Sequence, residues 1–319
     1  MNVARYSRHI LFAALMTGLA GAFWNPLTLL LKFSFQHEHY SHIVLIPFVS
    51  AFLVFSDRKK IFVSPTYHAG WGLGLWLAGV AALAVRFRMG SALSENDLLS
   101  VTILSFFLFW LGMFVLCYGP GTFRAGVFPL LFLILVVPIP DLPLNSAIRF
   151  LQYQSAEASA VLFKLTGVPI FRDGLTFYLP GVTIYIAEEC SGIRSSLALF
   201  ITGLLAGHLM LRSTWSKALL LLAIVPIAVL KNGIRIVSLT TLAVVVDPGF
   251  LSGRLHQQGG VVFFGIALSV LGLVLWILQW CEGRQRKIAG RRESRVHFTP
   301  EADAEHSPRS STVRRAPSE

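Results

Sequence analysis

Long apolar runs dominate this sequence and decide what kind of structure it can form. Eight runs reach or approach the roughly 20 residues that an α-helix needs to cross a bilayer. They lie near residues 9–31, 41–56, 68–86, 98–118, 123–140, 194–211, 217–246 and 259–281. Only 13% of the residues are charged, against about a quarter in soluble domains, which excludes a soluble enzyme. The sequence therefore predicts an all-α polytopic membrane protein with about eight transmembrane helices.

Basic residues are divided unevenly between the two sets of loops that these runs define. The richer set faces the cytoplasm according to the positive-inside rule. It consists of Arg5, Arg8, residues 58–60, Arg124, Arg212, Lys217 and the start of the C-terminal tail. Arg86 and Arg88 lie on the other side, against this trend. We therefore expect both termini of this multi-pass membrane protein in the cytoplasm.

The net charge of +11 could suggest nucleic-acid binding, but the distribution of the charged residues, above all in the tail, argues against it. Residues 282–319 hold nine Lys or Arg and six Asp or Glu, with few apolar residues. The tail has no interleaved aromatic residues and no recognisable nucleic-acid-binding module, whereas basic segments beside a membrane set topology and contact anionic lipid. We predict an integral-membrane domain over residues 1–281, a disordered cytoplasmic tail over 282–319, the lipid bilayer as a partner, and no nucleic acid.

The segment 141–193 is the only large piece predicted on the outer side. Between Asn145 and Leu165 apolar residues recur with a helical period, which predicts an amphipathic helix at the interface or packed over the bundle. Short β-branched and aromatic runs follow, separated by Asp173-Gly174 and by Pro180-Gly181. Such dipeptides between apolar runs indicate hairpin turns, so a small extracytoplasmic β-meander should precede residue 190.

Cys190 follows the last of these short β-branched and aromatic runs and lies just before the sixth long apolar run, near the N-terminus of the helix predicted there. A thiol near a helix N-terminus is more readily ionised, because free N–H groups and the helix dipole favour the thiolate, and Arg194 adds positive charge. A thiolate is what a cysteine nucleophile needs. The neighbouring Glu188 and Glu189 oppose this effect. The alternative is that Cys190 is a small buried residue without a chemical role.

An arginine interrupts the seventh apolar run, where charge is costly and therefore indicates function. Arg235 lies 18 residues after Lys217, which is about 27 Å along a helix. That distance places Arg235 near the outer membrane face, at the depth expected for Cys190. The alternative is a structural arginine paired with a neighbouring glutamate.

His256 precedes the eighth run on the same predicted side. A neutral imidazole can act as a base for a thiol. A Cys, an Arg and a His from separate segments thus meet at one depth. Together they could supply a nucleophile, an oxyanion-stabilising group and a proton carrier.

A second polar cluster, residues 36–42, joins the first two runs. It contains His37, Glu38, His39 and His42. The histidine spacing matches no strong zinc pattern, so we predict no metal site and expect a loop that contacts substrate or the meander.

These segments resemble the exosortase/archaeosortase family over about residues 36–262. The similarity lies in the block Glu189–Ser195, the block Asn232–Arg235, His256, the triplet Tyr40-Ser41-His42, Pro138-Ile139-Pro140 and the predicted meander. The resemblance implies a membrane cysteine protease or transpeptidase that acts outside the cytoplasmic membrane without a cofactor. Its substrates would be exported proteins that carry a C-terminal motif, one membrane helix and a basic end. Such family members commonly accompany exopolysaccharide production.

The resemblance also assigns roles by position. Cys190 would be the nucleophile, Arg235 would stabilise the oxyanion or position the carbonyl, and His256 would transfer protons. Supporting or substrate-positioning roles would fall to Glu188, Glu189, Arg194, Asn232, Tyr40, Ser41 and His42. Whether the product is released by water or by an amine stays open, as do a non-enzymatic role in envelope or exopolysaccharide assembly and an acyltransferase that uses His256.

Overall fold

The structure is a computed structural model that describes residues 3–63, 69–246 and 260–296. Within these ranges the chain forms eleven α-helices: α1 Val3–Ala22, α2 Trp24–Gln36, α3 Ile46–Ser56, α4 Arg58–Ile61, α5 Ala69–Met89, α6 Glu95–Ala125, α7 Val127–Phe132, α8 Asp141–Leu165, α9 Ile193–Met210, α10 Thr214–Val245 and α11 Gly260–Val296. Three 3₁₀ helices span Glu38–Val44, Leu133–Val136 and Glu188–Ser191. We call the first the histidine turn and the third the cysteine turn. The strands are β1 Phe171–Asp173, β2 Thr176–Leu179 and β3 Val182–Tyr185.

Six helical segments are long and apolar enough to cross a membrane. They are His39–Ser56, Gly70–Met89, Glu95–Ala125, Ile193–Met210, Thr214–Val245 and Gly260–Gln285. Two further pairs of helices pass the same test only as bent pairs, so the described chain has six candidate spans, or eight if each pair counts as one. The predicted polytopic, mainly helical architecture is confirmed.

The first predicted span, 9–31, is not a continuous helix. Helix α1 ends at Ala22, and α2 leaves it at 73°. Pro26 explains the break, because its ring clashes with the carbonyl four residues earlier, that of Ala22, and it has no N–H to donate. The N–H of Leu27 then bonds to the Phe23 carbonyl at 3.0 Å and begins the new helix.

The fifth predicted span, 123–140, also differs from the prediction. Its helical part covers Val127–Val136 and meets α8 at 88°. Ten helical residues extend about 15 Å, half the thickness of the hydrocarbon core. Pro138 and Pro140 stop this segment, and the predicted amphipathic helix begins directly after them, at Asp141.

The predicted meander is confirmed as an antiparallel sheet with the order β1-β2-β3. Its two turns place Gly174 at φ 57° and Gly181 at φ 80°, a backbone region that glycine adopts without strain. Buried Phe177 of β2 packs against Phe163 of α8, in a cluster that also holds Val237 of α10. The sheet is thus fixed to both helices, and β3 delivers the chain to the cysteine turn.

A second apolar cluster connects the histidine turn to the start of α9. Tyr40 and Ile43 of the turn are buried with Leu99 of α6 and Leu144 of α8. Ile193, three residues after Cys190, packs against this cluster. The N-terminal helices therefore contact the region around the cysteine.

Candidate active site

The cysteine turn presents Cys190 just before a membrane helix begins. The N–H of Cys190 bonds to the Ala187 carbonyl at 3.0 Å, which closes the turn. Gly192 follows at φ 76° and is the N-cap of α9. Cys190 is therefore two residues ahead of the cap, close to the N-terminus of α9 as predicted. Its side chain is half-buried and packs against the cluster that anchors the sheet.

Asn232 of α10 supports the turn from behind. Its side chain is 1% exposed, and Nδ2 donates hydrogen bonds to the Cys190 carbonyl (2.8 Å) and to Ser155 Oγ (3.0 Å). A Cβ added at Gly192 would lie 3.0 Å from Asn232 Oδ1. The amide and the glycine are thus fitted to each other, and this asparagine positions the backbone of the cysteine.

Helix α8 holds Asn232 in place through small residues. Ser155 and Ser159 are fully buried against α10. At Gly233 the helices are so close that an added Cβ would lie 3.0 Å from the Ala158 Cβ. Gln152 donates from Nε2 to the Ile186 carbonyl at 3.1 Å, which fixes the chain just after β3. The amphipathic helix is therefore the scaffold behind the cysteine turn.

Cys190 and Arg235 line the same small cavity, of about 40 Å³. Arg235 lies three residues after Asn232, which is close to one helical turn. Both side chains therefore project from one side of α10. The cavity is lined by Ile184, Tyr185, Ile186, Cys190, Asn232, Arg235, Ile236, Leu239 and Thr240. The space has room for a group as small as a carbonyl, and both Cys190 and Arg235 line it.

Comparison with known families gives one match: the family model described as Transmembrane exosortase fits residues 33–273. The chain belongs to the transmembrane exosortase family. Searches among curated proteins and among solved structures found no match. Membership suggests a membrane transpeptidase or protease for sorting signals. The matched region contains every residue proposed above for the site.

The remaining site residues that were predicted from the sequence of this exosortase are not among the described residues that line the cavity. Glu188 and Arg194 are exposed beside the cysteine turn. The side chain of Glu189, and the whole of His256, lie outside the described residues. Among the described residues that line the cavity, none comes from the triplet Tyr40-Ser41-His42.

Tyr40 instead belongs to a polar network that fixes the start of α8. It is 1% exposed, and its hydroxyl donates to Asn96 Oδ1 at 3.0 Å and lies 3.1 Å from the Ile139 carbonyl oxygen. Asn96 Nδ2 donates to Asp141 Oδ1 at 2.7 Å, and Ser94 donates to the same carboxylate. Tyr40 therefore contacts the residues at the start of α8 and not the cavity.

His37, which precedes the histidine turn, and His39 and His42 within it are engaged in local contacts. His37 Nδ1 lies 3.2 Å from the Phe33 carbonyl oxygen, and His42 Nδ1 lies 3.0 Å from that of His39. Across residues 3–63, 69–246 and 260–296, no three His, Cys, Asp or Glu side chains are grouped to hold a metal ion.

Sequence reasoning assigned no role to Lys231, which the structure places at the site. It is 6% exposed inside the bundle, and Nζ donates to Ser195 Oγ near the start of α9. The signal was present in the sequence, because a lysine inside an apolar run is as costly as the nearby Arg235.

Proposed function

We propose that this exosortase is a cysteine protease or transpeptidase that cleaves the C-terminal sorting signals of exported proteins at the outer face of the cytoplasmic membrane. The observation that carries the proposal is the cavity shared by Cys190 and Arg235. The asparagine that holds the Cys190 carbonyl is on the same helix as Arg235. The same helix therefore positions both the nucleophile and the guanidinium.

In the proposed reaction the Cys190 thiolate attacks the carbonyl carbon of the scissile peptide bond. The carbonyl oxygen becomes negatively charged, and Arg235 stabilises it. The C–N bond then breaks, the leaving amine takes a proton from the His256 imidazolium, and the acyl group stays on sulfur as a thioester. An acceptor amine or a water molecule attacks the thioester, passes a proton to His256 and releases Cys190 as the thiolate.

The orientation is proposed from the charge of the loops, with both termini in the cytoplasm. Helix α10 would then begin on the cytoplasmic side at Thr214. Arg235, 21 residues later, would lie about 30 Å away, at the outer face. The cysteine turn and the sheet pack against this end of α10, so the site would open to the periplasm or the exterior.

We propose that the membrane helix of the substrate docks in an apolar groove of about 980 Å³. Its walls come from α1, α2, α3 and α6, with Ala51 and Trp110 among the lining residues. One end is formed by Leu30 and Ile43, whose cluster also contacts Ile193. A helix seated there would bring its outer end toward Cys190, where the sorting motif must be presented.

The proposal is tested by replacing the nucleophile in cells that make a candidate substrate. Cys190→Ala should insert normally, yet leave the substrate with an intact C-terminal helix, while the matched Cys281→Ala should process it fully. Mass spectrometry of the new substrate C-terminus separates hydrolysis, which leaves a free carboxylate, from transfer to an amine. Normal processing by Cys190→Ala would contradict the proposal and point to a non-enzymatic role in envelope assembly.

A further inference from the structure

Lys231 is a buried ionisable residue that the proposed reaction does not use. Its side chain is only 6% exposed, and a buried ammonium group is costly unless it is paired or hydrogen-bonded. The ion pairs among the described side chains, Lys60 with Asp57 and Arg172 with Glu157, do not include it. Its position therefore requires an explanation other than a carboxylate partner in the described part of the chain.

The contacts of Lys231 lead to the cysteine turn. Nζ donates to Ser195 Oγ, and Ser195 Oγ donates to the Gly192 carbonyl at 3.0 Å. The same carbonyl accepts from Ser196 Oγ at 2.8 Å and from the Ser196 N–H at 2.9 Å. The lysine thus holds one end of a hydrogen-bond chain whose other end is the peptide two residues after Cys190.

The ammonium also lies directly against the turn. A Cβ added at Gly192 would be 3.4 Å from Lys231 Nζ and 3.0 Å from Asn232 Oδ1. Two consecutive residues of α10 therefore make two contacts here: Asn232 bonds to the Cys190 carbonyl in the cysteine turn, and Lys231 bonds to Ser195 in the first turn of α9.

Electrostatics makes this placement unfavourable without an anion. The N-terminus of α9 carries a partial positive charge, and Lys231 places a cation beside it, with Arg235 one turn further along α10. The N-terminus of α9 and Lys231 therefore both contribute positive potential near the half-buried Cys190. A thiolate, or the oxyanion of a tetrahedral intermediate, would balance them.

We propose that Lys231 is a positioning residue for the Cys190 nucleophile. Through Ser195 it fixes the Gly192 peptide, and its charge favours the thiolate. The proposal deepens the proposed function and rests on it for the reaction, but its effect on the thiol is measurable without any substrate.

The test compares Lys231→Met with its parent in a Cys117→Ser, Cys281→Ser background, in detergent. The rate of Cys190 alkylation by iodoacetamide at neutral pH should fall about tenfold, because loss of a nearby cation lowers the fraction of the thiol that is ionised. The midpoint of the pH profile should move to higher pH, because loss of a cation disfavours the thiolate. Lys217→Met removes an ammonium from the start of the same helix and should change neither.

Ser195→Ala provides a second test of the same contacts, which can be used if Lys231→Met does not fold. It should lower the alkylation rate in the same direction, and the double variant should be no slower than Lys231→Met, because both remove one chain of contacts. The other charged groups of the neighbouring elements stay unchanged in every variant: Glu188, Glu189, Arg194, Arg235, Arg149, Glu157 and Lys164. An unchanged rate and profile in Lys231→Met, or in Ser195→Ala where the lysine variant does not fold, overturns the proposal, as do additive effects.

Failure of this proposal and failure of the proposed function are distinguishable. If Cys190→Ala still processes substrate, the proposed function fails while the alkylation data keep their meaning. If Cys190→Ala abolishes processing and Lys231→Met leaves the thiol unchanged, the function stands and the lysine has no positioning role.

Discussion

Replacement of Gly192 by alanine tests the fit between the cysteine turn and α10. The residue adopts φ 76°, which non-glycine residues rarely tolerate. Its new Cβ would lie 3.0 Å from Asn232 Oδ1 and 3.1 Å from Asn232 Cγ. Asn232 has little freedom to move away, because its Nδ2 is bonded to Ser155 on α8 as well as to the Cys190 carbonyl.

The expected cost has two parts. Alanine in the left-handed region loses about 1–2 kcal/mol. Displacement of Asn232 weakens its hydrogen bond to the Cys190 carbonyl, which costs about 1 kcal/mol more. The chain offers a matched control in Gly167→Ala, since Gly167 has φ 72° and nothing within 4 Å of an added Cβ. The control therefore carries the backbone strain alone.

Thermal unfolding in detergent and the alkylation rate of Cys190 measure the two parts separately. Both variants should lose stability, with Gly192→Ala about 1 kcal/mol less stable than Gly167→Ala. The rates of Cys190 alkylation and of substrate processing should fall in Gly192→Ala only. The expected decrease is about fivefold, because about 1 kcal/mol at the turn corresponds to that factor in a rate. Equal stability and equal thiol reactivity in the two variants would refute the role given to Asn232.

Three further predictions concern the groove, the topology and the histidine turn. Ala51→Trp should fill the groove and reduce substrate processing at least about tenfold without changing Cys190 alkylation. The control Ala81→Trp, on the exposed face of α5, should process substrate normally. Equal processing by both variants would show that the substrate helix does not dock in the groove. A membrane-impermeant maleimide applied to intact cells should label Cys190 and spare Cys281; the reverse pattern would mean that the topology is inverted. Tyr40→Phe loses its two acceptors and should unfold with about 1 kcal/mol less stability, while a fully stable variant would show that the network does not hold α8.

Much of the fold could be predicted because bilayer crossing requires long apolar helices and because the two turn dipeptides of the meander require glycine. The runs near 194–211 and 217–246 correspond closely to α9 and α10. The bend at residue 23 was missed because a single proline in an apolar run is also tolerated in kinked membrane helices. The shortness of α7 and the right angle between it and α8 were not predicted, because hydropathy counts apolar residues without recording where the chain turns.

Part of the candidate site could also be predicted from the sequence, and part could not. Cys190 and Arg235 stand out in the sequence because a thiol at a helix start and a charge in an apolar run are unusual in themselves. Asn232 belongs to a block recognised in the sequence, and Lys231 is unusual in an apolar run, but the partners of both lie 36–77 residues away in sequence and could not be predicted. Such tertiary contacts leave no local pattern. Tyr40 shows the opposite case, since its block could be recognised from the sequence while its contacts with α6 and with the start of α8 could not.

The central claim is that Cys190 forms a covalent acyl intermediate, and trapping of that intermediate tests it most directly. The purified protein would be mixed in detergent with an exported protein that carries the motif, the membrane helix and the basic end, quenched with acid, digested and analysed by mass spectrometry. The account predicts that the peptide containing Cys190 carries the N-terminal product of the substrate as a hydroxylamine-sensitive thioester, and that Cys190→Ala neither forms the adduct nor cleaves the substrate. Cleavage by Cys190→Ala at the parent rate, with no adduct on the parent, would contradict it.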